Sequence, residues 1–121
     1  MIRVDLPYPH ALLWPNGRTR NPYAKPAQVK KHRRWAHDAT MADPAWRTFS
    51  AGEAPVPIRI IVSRKAAGVY PDRDNASAAA KAYLDGIAER LSVNDRLFDT
   101  PDVEFVPAIT GRFVIEIGAR P

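Results

Sequence analysis

Cysteine is absent from this 121-residue chain, which removes disulfides, thiolate zinc sites, iron–sulfur clusters and cysteine nucleophiles together. Any metal must therefore bind oxygen or imidazole. Long apolar runs are missing too. Nothing approaches the roughly 18 apolar residues of a membrane span, and the opening MIRVDLPYPH lacks the apolar stretch, about 7 to 15 residues long, of a secretory leader. The chain is read as cytoplasmic, with no membrane partner. Histidine is scarce at three copies: His32 and His37 stand five apart with no His-Glu-x-x-His pattern, which argues against zinc. No glycine-rich phosphate loop and no serine triad can be assembled, so neither a nucleotide cofactor nor acyl-transfer chemistry is expected.

What remains is ordinary globular composition, 45% hydrophobic and 26% charged, enough to bury the core of a single domain over 1–121. Twelve prolines, about twice the average usage, imply stiff and rather long loops. Charge is uneven along the chain. Residues 1–65 hold 12 basic and 4 acidic groups, whereas residues 66–121 hold 6 basic and 9 acidic. A basic half beside an acidic half suggests a polyanion-binding face next to a carboxylate cluster.

Ile2, Val4 and Leu6 alternate with Arg3 and Asp5 as a half-buried strand, ended by Pro7 and Pro9. A long basic loop follows to Pro26, marked by Pro15-Asn16-Gly17 and Asn21-Pro22. Pro26 suits the first turn of a helix, and Val29, His32, Ala36 and Ala39 carry it over about 26–42 until Asp43-Pro44. A second strand spans 56–62, with Pro57 at an edge or near its start. Ala76, Ala80, Leu84, Ile87 and Leu91 predict a helix over 75–91, with Asn75 as N-cap. Two closing strands, 103–107 and 112–117, are expected to join as a hairpin at Thr110-Gly111. The order β-α-β-α-β-β predicts an α+β domain of two helices packed on a mixed four-stranded sheet.

Chemistry concentrates at Asp72-Arg73-Asp74-Asn75. Carboxylates at i and i+2 share a side while the chain is extended, so Asp72 and Asp74 can share a hard cation such as Mg²⁺ or Mn²⁺, aided by the helix N-terminus. The other reading is a solvated, capped turn. A third carboxylate, Asp95, follows the helix in Asn94-Asp95-Arg96. That helix would be about 25 Å long, so Asp95 meets the pair only if the segment after it folds back or a partner subunit supplies it.

In order, Asp72-x-Asp74-Asn75, Lys81-x-x-x-Asp85-Gly86 and Asn94-Asp95-Arg96, preceded by a strand ending in Leu6-Pro7-Tyr8-Pro9, a loop with Asn16 and a basic helix, resemble the RusA-like Holliday junction resolvases of bacteria and their prophages. The resemblance covers nearly the whole chain. It implies that Asp72, Asp74 and Asp95 bind Mg²⁺ or Mn²⁺ and direct hydrolysis of a DNA phosphodiester, that Lys81 supports catalysis, and that the protein serves recombination and repair. Two positions depart from the family pattern. Its lysine usually stands at the equivalent of Ala78, and an aspartate often stands where this chain has Asn94. Lys81 has a second reading as a surface ion pair with Asp85 at i+4, in which Asp85 is structural.

Arg18, Arg20, Lys25, Lys30, Lys31, Arg33 and Arg34 give seven cations and no acid over 17 residues, a phosphate-tracking surface together with Asn16 of the preceding loop. Neutralising about seven phosphates corresponds to a salt slope near −6. An ordinary solvated helix face is the alternative. Trp14, Tyr23 and Trp35 can stack on unpaired bases, although Trp35 suits the core. The leading expectation is a metal-dependent, structure-selective endonuclease that resolves four-way junctions by paired symmetric nicks. Two equivalent cuts call for a homodimer. A non-catalytic branched-DNA-binding architectural protein, or the same chemistry on flaps or RNA, are the alternatives.

Overall fold

The computed structural model describes residues 1–52 and 55–118. Alternation of apolar and charged residues produces β1 (Ile2–Pro7), β2 (Ile58–Ser63), β3 (Asp102–Val106) and β4 (Arg112–Ile117). They form one mixed sheet in the order β1-β4-β2-β3. β4 runs antiparallel to both β1 and β2, and β3 is parallel to β2. In register, Val4, Ile115, Ile60 and Val103 lie side by side across all four strands on one buried face.

That face is covered by α1 (Ala24–Ala39), α2 (Arg73–Ala79) and α3 (Lys81–Leu91), whose Ala36, Ala76, Ala80, Tyr83 and Ile87 complete the core. The chain is thus an α+β domain with helices on one side of a four-stranded mixed sheet. The opposite face carries a row of charge in register. Glu116, nearly buried, accepts from Arg3 at 3.2 Å and Arg59 at 3.3 Å, and Arg59 also pairs with Glu104. Arg112 and Asp5 add a further pair at 2.9 Å.

Several local expectations change. The hairpin at Thr110-Gly111 does not form, because β2 lies between β3 and β4. The connector instead crosses the end of β2: Gly111 N–H donates to the Arg64 carbonyl at 2.9 Å, and the Thr110 and Ser63 hydroxyls are 2.6 Å apart. Gly111 has φ +65°, a backbone that favours glycine. The single helix expected over 75–91 is two helices, bent at Ala80, whose N–H is shared among the carbonyls of Ala76, Ser77 and Ala78. Its N-cap is Asp72, three residues before Asn75. Pro26 sits at the third position of α1, where its missing N–H has no helical partner to lose. Pro57 stands just before β2, and β2 is a central strand.

α1 and α3 cross at Gly86. A Cβ placed there would lie 2.0 Å from the Arg33 carbonyl oxygen, so only glycine permits this approach. The buried His32 ties α1 to the loop after β1: its Nδ1–H donates to the Gln28 carbonyl at 2.7 Å, and its Nε2 accepts from His10 N–H at 3.1 Å. Burial holds its pKa below the ordinary histidine value. Both ring nitrogens are committed, as expected of a structural histidine. No helix among the described residues is long and apolar enough to cross a membrane.

Candidate functional site

The loop after β2 feeds α2, and there Asp72 acts as a cap. Its Oδ1 accepts from the N–H groups of Asp74 at 2.8 Å and Asn75 at 3.2 Å, satisfying donors that have no helical partner. Asp72 is extended at φ −65° and ψ 142°, whereas Arg73 and Asp74 are already helical. The extended i, i+2 geometry expected for the two carboxylates is therefore replaced by a cap residue and a first-turn residue. Both are exposed at the positive end of the helix. Arg73 anchors this corner by donating to the Val103 carbonyl and lying over the Phe105 ring, 5.2 Å from its centroid.

Asp74, Ala78, Lys81 and Asp85 follow at spacings of 4, 3 and 4, one stripe along α2 and α3. Lys81 Nζ donates to Asp85 Oδ1 at 2.7 Å, the pair expected from i+4 spacing, and to Asp95 Oδ2 at 2.5 Å, which the sequence did not foretell. The two acceptors raise the Lys81 pKa, with Asp85 the larger influence, and the ammonium holds Asp95 below the usual carboxylate range.

Asp95 reaches the first residue of α3 because the chain reverses sharply after Leu91. Ser92 takes the left-handed conformation, φ 57° and ψ 40°, and Val93 N–H donates to the Ala88 carbonyl at 3.0 Å while Ser92 N–H bonds Glu89. This is a Schellman closure with serine where glycine is usual. Asn94 then caps the turn Asp95–Leu97 by accepting from Arg96 N–H at 3.0 Å. Val56 holds the returning segment from the sheet side, bonding Leu97 and Asp99 at 2.7 and 2.8 Å.

The segment after α3 thus folds back, but among the described residues no three His, Asp or Glu side chains gather closely enough to hold a metal together. Asp72 and Asp74 sit at one end of α2, and Asp95 sits with Lys81 and Asp85. The donor chemistry nevertheless fits a hard divalent ion: every candidate is a carboxylate oxygen, and an ammonium already occupies a cation's position between Asp85 and Asp95. Sequence reasoning paired Asp85 with Lys81 alone. Its spacing to Lys81 was visible, but its nearness to Asp95 depends on the reversal at Ser92.

Two open clefts flank Lys81. One, about 490 Å³, lies against Asp95, Asn94, Glu89 and Arg33. The other, about 270 Å³, runs between the α2–α3 stripe and Leu13, Pro15, Lys25 and Val29, bringing the basic segment beside the carboxylates. Asn16, Arg18, Arg20, Lys25, Lys30, Lys31, Arg33 and Arg34 are all exposed. The surface is less cationic than the local sequence suggests, because Arg33 pairs with Glu89 at 3.2 Å and Arg34 with Asp38 at 3.9 Å. The other five basic residues of the stretch make no ion pair among the described residues. Trp14 is packed inward, stacked on Tyr8 at 5.2 Å and edge-on to Phe113 at 6.0 Å. Tyr23 is exposed, and Trp35, expected in the core, keeps 36% of its surface open with Lys31 4.8 Å above its ring.

No protein-family model matches the chain, and no curated protein matches it either.

Proposed function

We propose that this protein is a divalent-metal-dependent, structure-selective DNA endonuclease that cuts four-way junctions by paired symmetric nicks, acting as a homodimer in the manner of the RusA-like resolvases it resembles. The observation that carries this reading is the return of Asp95 to Lys81, on the helical stripe that begins at Asp74 and beside the cleft that Lys25 shares. Two carboxylates, an ammonium suited to a phosphate and a basic flank adjoin there, and Asp72 and Asp74 stand at the N-terminal end of α2.

In this reading Asp72 and Asp74 hold Mg²⁺ or Mn²⁺, with Asp95 as the third carboxylate. Asp72 keeps Oδ2 for that purpose while Oδ1 caps the helix. When bound, the ion supplies a positive charge for the phosphoryl oxygens and a means of acidifying water. Lys81 sits where it can meet a non-bridging phosphate oxygen, and Asp85 restrains it from one turn further along α3. Arg18, Arg20, Lys25, Lys30 and Lys31 track the phosphates and set the register of the duplex arms. A DNA substrate implies a cytoplasmic location. The test is Asp74→Asn: junction binding is expected to persist while cleavage is lost, and full cleavage by that variant would end the metal reading.

One observation favours a second reading, a junction-binding architectural protein without catalysis: Asp95 is engaged by Lys81 and stands apart from the Asp72–Asp74 pair. That protein would bind branched DNA equally well with EDTA and cut nothing. The same chemistry on flaps or RNA would show itself as metal-dependent cutting of those substrates in preference to junctions.

A further inference from the structure

We infer that Lys81 is a built-in stand-in cation that competes with the divalent ion for Asp95, so that a DNA phosphate drawing Lys81 away makes Asp95 available and couples substrate binding to metal binding. The inference rests on the nuclease reading above and adds to it a mechanism of regulation.

The geometry is specific. Lys81 Nζ lies 2.5 Å from Asp95 and 2.7 Å from Asp85, bridging two carboxylates as a metal would. Its side chain is 62% exposed at the mouth of both clefts, so the ammonium can leave Asp95 by rotation of an unburied stem. Asp95 is the candidate ligand that stands apart from Asp72 and Asp74, and its carboxylate already carries a positive partner. A divalent ion must displace that partner or share the carboxylate with it, and like charges at such separation oppose each other.

A phosphodiester changes the balance. Placed at the mouth of the clefts, beside Lys25, its oxygen offers Lys81 an alternative acceptor of the same charge. Lys81 gives two of its three N–H donors to Asp85 and Asp95, so a phosphate that takes the third shares the positive charge and loosens its hold on Asp95. If DNA raises metal affinity by some factor, metal must raise DNA affinity by the same factor, because the coupling is reciprocal. Asp85 moderates the exchange by sharing the ammonium.

The test measures Mn²⁺ binding to the intact protein by electron paramagnetic resonance, alone and with a junction whose scissile linkages carry a methylene group in place of the bridging leaving oxygen, which blocks cleavage and keeps the phosphorus centre's negative charge. Lys81→Met is expected to bind Mn²⁺ about two- to fivefold more tightly than the parent without DNA, the worth of an exposed ion pair. It is also expected to lose the gain in Mn²⁺ affinity that DNA gives the parent. Asp85→Asn, which leaves the ammonium to Asp95 alone, is expected to weaken Mn²⁺ binding. Mn²⁺ binding by the parent, with affinity unchanged or weaker in Lys81→Met, would overturn the competition and leave the metal reading standing. Absence of Mn²⁺ binding in parent and variant alike, with or without DNA, would overturn both.

Discussion

Single residues carry the sharpest commitments of this fold. At Gly86 the methyl of alanine would meet the Arg33 carbonyl oxygen at 2.0 Å, a backbone atom that cannot rotate aside, so Gly86→Ala is expected to lower stability by at least about 2 kcal/mol. A urea unfolding midpoint unchanged from the parent would contradict that. His32 makes a pH-dependent contribution whose sign follows from its burial. Its folded pKa lies below the ordinary value, so the unfolded chain takes up the proton first, and stability is full above about pH 6.5 and falls as pH drops below it. Thermal melts between about pH 7.5 and pH 5.5 should show this loss, and His32→Gln should reduce it. These residues differ in legibility. Lys81 and Asp85 declare their pairing by i+4 spacing, but Asp95 is 14 residues from Lys81 and joins them through a left-handed serine that no local pattern announces. Asp72 and Asn75 are both good caps, and the choice between them rested on where α2 leaves the β2 loop.

At the scale of elements, the alternating strands and the long apolar periodicity of residues 76–91 could be read directly, because each records one face turned to a core. The pairing of strands could not. β3 and β4 look like neighbours in sequence, yet the parallel crossover from β2 through α2 and α3 places β3 outside β2, and β4 must step over to reach β1. The bend at Ala80 is likewise silent, lying in a run of alanines that favours helix throughout. Both outer strands are guarded against pairing with other chains. Arg3 N–H of β1 donates to Asp43 at 3.0 Å, and on β3 the Tyr70 hydroxyl and Arg73 bond the Val106 and Val103 carbonyls. The Ser92 reversal yields a prediction of its own. Ser92→Gly relieves the left-handed strain, and after glycine's entropy it is expected to stabilise the fold by about 0.5–1 kcal/mol without moving Asp95. A lower melting temperature would contradict it. For the basic segment 18–34, the partners Glu89 and Asp38 leave five basic residues without an acid among the described residues, so the DNA-binding salt slope should be about −4 to −5 instead of the −6 that seven would give. Asp38→Ala and Glu89→Ala together should steepen it.

The whole molecule presents one helix-covered sheet face and one face of interleaved charge, with Lys81 and Asp85 of α3 meeting Lys25 of α1 in one cleft. The uneven charge of the two halves was legible early, and basic and acidic side chains do share a cleft at Lys25 and Asp85. Their degree of mutual neutralisation was not, since Arg33 and Glu89 are 56 residues apart. On the proposed reading each chain supplies one active site, so symmetric cutting of a junction requires two copies, and the complex with junction DNA should sediment with two chains. A strict monomer on the junction would contradict paired cutting. The most direct measurement incubates the purified protein with an end-labelled four-way junction and a linear duplex of matching sequence, each with Mg²⁺, Mn²⁺ or EDTA. Paired symmetric nicks in the junction alone, abolished by EDTA, are the expected result. Tight binding of the junction with no nick under any metal would contradict the endonuclease and leave Asp72 as a helix cap and Asp95 as the counter-ion of Lys81.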